Sequence, residues 1–88
     1  MSQVPEISRF FGIVIAMYHR DHEPAHFHAR YAGRKVTVRI ADGHIEGMLP
    51  ARAEAMLLEW WNRHRAELAE NWQRARDFKD LKPIPPLE

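Results

Sequence analysis

His26-Phe27-His28-Ala29-Arg30-Tyr31-Ala32-Gly33-Arg34-Lys35-Val36-Thr37-Val38-Arg39-Ile40 is the stretch whose reading decides the fold. Side chains alternate across a strand, so His26, His28 and Arg30 share one face and Phe27, Ala29 and Tyr31 the other. Closing the chain at Ala32-Gly33 as a two-residue hairpin sets Arg30 opposite Lys35, His28 opposite Thr37 and His26 opposite Arg39. The same register sets Ala29 against Val36 and Phe27 against Val38. Apolar then meets apolar on one face and polar meets polar on the other, an agreement that a slip of one residue would destroy.

Outward from this hairpin, Asp42-Gly43 signals a second turn, placing Ile40 beside Ile45 and Arg39 beside Glu46. Upstream, the apolar run of residues 10–18 reads as one strand beside the hairpin, with Phe11, Ile13, Ile15 and Met17 on one face and Phe10, Val14 and Tyr18 on the other. Downstream, Pro50 ends the strands and suits a first helical turn. From Ala51 to about Asp77, Ala53, Leu57, Trp61, Leu68, Trp72 and Ala75 form a helical stripe that includes His64. A straight helix of that length would extend about 39 Å, longer than the sheet beneath it, so the sequence allows either one long helix or a break near His64-Arg65. The proline-rich tail cannot continue the helix and is placed over Phe10, Val14 and Tyr18 on the outer sheet face.

The fold expected is therefore α+β: a four-stranded, mainly antiparallel meander with one long or broken C-terminal helix packed on one face. Residues 1–88 read as a single domain, with strands within about 7–49, helix over about 51–77 and an extended tail over 78–88. Apolar residues make up 45% and charged residues 28% of the chain, a balance that can build a packed core. There are no cysteines, which excludes disulfides and thiolate metal sites and leaves His, Asp and Glu as ligands. Thirteen basic and twelve acidic residues give a net charge of +1, without the overall basic footprint of a typical nucleic-acid binder. The run over 10–18 is too short for a bilayer span of about 20 residues and lacks the flanks of a secretory signal. The protein reads as cytoplasmic, with no membrane contact.

Function, on this reading, sits in Asp21-His22-Glu23-Pro24-Ala25-His26-Phe27-His28, which packs three imidazoles and two carboxylates into eight residues. His26 and His28 project from the same side of one strand, with Asp21 and His22 in the loop before it. Imidazole and carboxylate suit a divalent transition metal, so Asp21, His22, His26 and His28 are its candidate ligands. The same four residues are candidates for metal-free acid–base catalysis of ribonuclease type, with Arg30, Lys35 or Arg39 stabilising the developing charge. A third reading is purely structural, with the carboxylates bonding loop backbone and the imidazoles finishing the sheet edge. Arg30, Lys35 and Arg39 are also candidates for binding nucleic acid or a partner. Trp60 joins them, because it points away from the stripe containing Trp61.

The segments Ile7-Ser8-Arg9-Phe10-Phe11-Gly12-Ile13, Met17-Tyr18, Asp21 through His28, Tyr31, and Glu46-Gly47-Met48-Leu49-Pro50 resemble a small bacterial family known as domain of unknown function four-one-six-zero. The helix residues Trp61, His64-Arg65, Leu68 and Asn71-Trp72 match it as well. The resemblance implies a compact protein often encoded beside another small protein, in a setting labelled regulatory or toxin–antitoxin. It therefore implies an accessory or regulatory role through that neighbouring-gene partner, with nucleic acid or a second copy of the chain as further partners. Asp21, His22, His26 and His28 carry the motif, with Arg9 and Tyr31 beside them. Ala25 stands where the family frequently has another proline. The rival expectation is a small His-dependent nuclease or hydrolase, with or without metal.

Overall fold

A computed structural model describes residues 5–88; residues 1–4, which the single-domain reading includes, lie outside the described residues. Five strands form one open antiparallel sheet in sequence order: β1 (Glu6–Phe10), β2 (Ile13–Ala16), β3 (His26–Tyr31), β4 (Arg34–Arg39) and β5 (Ile45–Glu46). Two helices follow, α1 (Ala51–Arg63) and α2 (Arg65–Arg76). Among the described residues, no helix is long and apolar enough to cross a membrane.

The β3–β4 hairpin has the register read from the sequence, with His26 opposite Arg39, His28 opposite Thr37 and Arg30 opposite Lys35. Its turn residues Ala32 and Gly33 both have positive φ, the conformation that matches the right-handed twist of the flanking strands. The fifth strand arises from a second hairpin of this kind, in which Phe11 (φ 48) and Gly12 (φ 81) reverse the chain inside what reads as a single apolar run. Phe10 therefore pairs with Ile13 and packs inward on Trp60, while Phe11 is exposed in the turn. Both placements correct the four-strand expectation.

The β4–β5 register differs by two residues from the sequence reading: Val38, not Ile40, pairs with Ile45, and Thr37, not Arg39, pairs with Glu46. The strand period is two, so this shift leaves every side chain on its expected face. Its cause is tertiary. Trp61 donates its indole N–H to the Ile40 carbonyl at 2.9 Å and lies against Gly43, where an added Cβ would come within 2.8 Å of the ring. The chain consequently loops over residues 40–43 instead of turning at Asp42-Gly43 alone.

Of the two forms the sequence allows, the helical stretch takes the broken one, divided at His64. The His64 N–H donates to the carbonyls of Trp60 and Trp61, its carbonyl accepts from Leu68, and its ring bonds Glu67 at 2.7 Å. No side chain caps α1, which begins after Pro50. Helix α1 buries Ala53, Leu57, Trp60 and Trp61, and α2 buries Leu68, Asn71, Trp72 and Ala75. They cover Ile13, Ile15, Met17, Phe27, Val36 and Val38 on the inner sheet face.

The tail lies on the helix side, not over Val14 and Tyr18. Ile84 donates its N–H to the Ile7 carbonyl at 2.8 Å, which occupies part of the β1 edge. Asn71 exchanges two hydrogen bonds of 2.8 Å with the backbone of Lys82, and Trp60 donates to the Pro85 carbonyl at 2.9 Å. Ile84 and Leu87 thereby join the core. A proline-rich segment has few N–H groups to satisfy, which suits it to this edge.

Candidate metal centre on the outer sheet face

Asp21 reaches the sheet because its loop is pinned to the end of α2. Arg76 pairs with Glu23, the Arg20 guanidinium lies 4.9 Å from the centre of the Phe78 ring, and His19 Nε2 bonds the Lys79 carbonyl at 3.1 Å. Within the loop, the His22 N–H donates to Asp21 Oδ1 at 2.9 Å. These contacts direct Asp21 Oδ2 to a point 2.9 Å from His28 Nε2 and 2.9 Å from His26 Nε2. One ligand atom from each of Asp21, His26 and His28 lies within 4.8 Å of the others.

The two imidazoles sit differently. His26 is 7% exposed, covered by Trp72 with ring centres 5.4 Å apart, and its Nδ1 donates to the Pro24 carbonyl at 2.8 Å. A carbonyl only accepts, so Nδ1 carries a proton, and with Nε2 unprotonated that nitrogen would present a lone pair. That lone pair and Asp21 Oδ2 are both acceptors, and at 2.9 Å they need a proton or a cation between them. His28 is half-buried, with Tyr18 edge-on at 4.6 Å. It supplies the hydrogen bond to Asp21.

Burial pushes the Asp21 carboxyl upward, but the hydrogen bond from His28, the His22 N–H and the charges of His26 and His28 outweigh it. The carboxyl is thus held below its ordinary value of 3.8. A groove of about 200 Å³ is lined by His22, His26 and His28, with Thr37, Arg39, His44 and Glu46 along its other wall; Asp21 lies behind the His26 and His28 imidazoles and does not line it.

The sequence-derived candidates divide clearly. Asp21, His26 and His28 converge. His22 is adjacent but separate: its side chain is 83% exposed, Nδ1 donates to the Glu23 carbonyl at 3.1 Å, and Nε2 is 3.8 Å from Asp21 Oδ1. Arg39 faces the groove with its guanidinium occupied by Asp42 at 2.7 and 2.9 Å, and these bonds, the first cause, with the His44 N–H hold Asp42 at about 2. Arg30 and Lys35 lie opposite each other toward the hairpin turn, away from the cluster. Trp60 corrects an expectation: it is 0% exposed, packed against Phe10, Phe27 and His64, and presents no interface. Tyr18, Thr37 and His44 were not among the sequence-derived site candidates. The paired strands already signalled Thr37 opposite His28, whereas the place of His44 depended on the loop that Trp61 shapes.

A family model described as a domain of unknown function, DUF4160, matches residues 12–73, a span that contains the whole Asp21-His26-His28 cluster. The chain belongs to this family. No curated protein and no solved structure matches it. In this DUF4160 chain, three candidate ligands, two of them lining an open groove, make a set that could leave coordination positions for a further molecule. Structural zinc sites, by contrast, usually close with four protein ligands. Two histidines and one carboxylate suit zinc or iron, and the Nδ1 to carbonyl bond of His26 is the outer-shell contact that commonly fixes a ligating imidazole.

Proposed function

We propose that this chain is a small cytoplasmic metalloprotein in which Asp21, His26 and His28 hold one divalent transition metal and the adjoining groove admits a substrate or partner group. The observation carrying this reading is the 2.9 Å approach of Asp21 Oδ2 to a His26 Nε2 whose opposite nitrogen is committed to the Pro24 carbonyl. A cation resolves the meeting of two acceptors and replaces the hydrogen bond from His28 by a second coordinating nitrogen. The open side favours a reactive or regulated centre over a structural one, and the metal would supply Lewis acidity toward a phosphoryl or carbonyl oxygen. His22, exposed at the rim, is placed to exchange protons with a bound group. The family resemblance supports an accessory or regulatory setting, with a neighbouring-gene protein as partner in a toxin–antitoxin-like pair.

Purified without a histidine tag and loaded with zinc, nickel or iron(II), the protein should retain about one metal ion per chain, and His26→Ala with His28→Ala should retain none. Elemental analysis after gel filtration reads this directly. Wild type that retains no metal under any loading overturns the proposal. A second reading is favoured by the hydrogen bond between His28 and Asp21, which orients His28 as a metal-free general base. It predicts RNA cleavage that survives chelation and falls about 10²–10⁴-fold in His28→Ala.

A further inference from the structure

The antiparallel registers align Arg9 on β1, Val14 on β2, Arg30 on β3 and Lys35 on β4 in one cross-strand row on the outer face. Arg34 follows in β4 next to the turn, and a trench of about 330 Å³ is lined by Arg9, Val14, Arg30, Tyr31, Arg34 and Lys35. The row contains three cations, and Arg34, paired with Tyr31 beside the turn, adds a fourth to the trench. Glu6 is the carboxylate engaged with it, bonded to Arg9 at 2.8 and 3.0 Å. Among the described residues, Arg30, Arg34 and Lys35 form no ion pair with a carboxylate. Three unpaired cations on adjoining strand positions repel one another, an arrangement that becomes favourable when an anion lies between them.

A second depression of about 130 Å³ shares Val14, Arg30 and Lys35 with the trench and continues to Ala16, Tyr18 and His28. The basic row and the row of Ala16, His28 and Thr37 are two residues apart along β3, about 7 Å. That step is comparable to the separation of neighbouring phosphates on an extended strand. Val14 and Ala16 keep the floor low, the exposed Tyr18 ring flanks it, and Thr37 opposite His28 offers a hydroxyl.

We infer that this lane binds single-stranded RNA, with successive backbone phosphates along Arg9, Arg30, Arg34 and Lys35, a base against Tyr18, and a 2′-hydroxyl within reach of Thr37. Cationic tracks with aromatic side walls are the usual means of holding a single strand without reading its sequence. The 2′-hydroxyl distinguishes RNA from DNA. Arg39 takes no part, because Asp42 holds it. The inference concerns binding alone, and its phosphate contacts, Arg9, Arg30, Arg34 and Lys35, lie outside the metal cluster, of which only His28 borders the lane.

Fluorescence polarisation of full-length protein with a labelled oligouridylate, in chelator and at low salt, tests it. Wild type should bind with a log–log salt slope of about −2, the value for some three phosphate contacts on a single strand. Arg30→Glu with Lys35→Glu should weaken binding at least about tenfold, while Arg52→Glu, exposed on α1 and away from the lane, should leave it unchanged within a factor of about two. Arg34→Gln, at the exposed start of β4, serves as a second variant and should flatten the slope by about 0.7. Equal binding by wild type and both lane variants, or none by wild type, overturns the lane. Tighter binding of duplex RNA overturns the single-strand assignment, and equal binding of the matching DNA overturns the assignment to RNA.

Discussion

Trp60→Ala should destabilise the protein by about 3–5 kcal/mol, measured as the change in free energy of urea unfolding. The indole is fully buried, with ring centres 5.4 Å from Phe10 and 5.7 Å from Phe27, and its N–H is the donor that ties Pro85 of the tail to α1. Truncation leaves a cavity in the middle of the sheet–helix layer and also removes the partner of the Pro85 carbonyl. Trp60→Phe keeps most of the volume and loses the hydrogen bond, so its cost should be smaller, about 1–2 kcal/mol. A change near zero for Trp60→Ala would mean that the indole is exposed, as the helical stripe alone suggests.

Asp21→Asn should lower metal affinity at least about a hundredfold, the upper end of what removing an outer-shell partner costs, because here a direct charged ligand is lost. The fold should persist, since the amide occupies the carboxylate's volume in a loop held by other contacts. The substitution should also alter the acid limb of the metal-free protein. The Asp21 carboxyl is held below 3.8 in the folded state, so it contributes stability above that ordinary value and loses it as pH falls through the depressed one. Asp21→Asn removes this dependence, and its stability should fall less steeply than that of wild type below about pH 4. Urea unfolding of both proteins across acid pH checks the sign; identical slopes would show that Asp21 is not held by the histidines.

The hairpin of β3 and β4 was legible residue by residue because two independent patterns, apolar against apolar and polar against polar, agree in one register only. The hairpin of β1 and β2 was not. Phe-Phe-Gly-Ile reads as uninterrupted strand, and a phenylalanine at positive φ is a conformation that the sequence discourages and the twist of the sheet imposes. Trp60 was misplaced for a different reason. Residues 60 and 61 are about 100° apart on a helix, and a helix buried on one side accommodates only one of them. Here Trp61 closes over the Gly43 loop while the tail packs beside Trp60, so α1 is covered on two adjoining sides. The site divides in the same way. Alternation along β3 brought His26 and His28 together, whereas the aim of Asp21 depends on Glu23, Arg20 and His19 meeting the end of α2, contacts some sixty residues away that no local pattern encodes.

Anomalous diffraction from crystals of the metal-loaded protein, recorded at the absorption edge of the added metal, tests the central claim most directly. The account predicts one peak per chain, bonded to a carboxylate oxygen of Asp21 and to Nε2 of His26 and His28 at about 2.0–2.2 Å, with its open side toward Thr37 and His44. No peak at this cluster, with Asp21 still bridging the two imidazoles through protons alone, would contradict it.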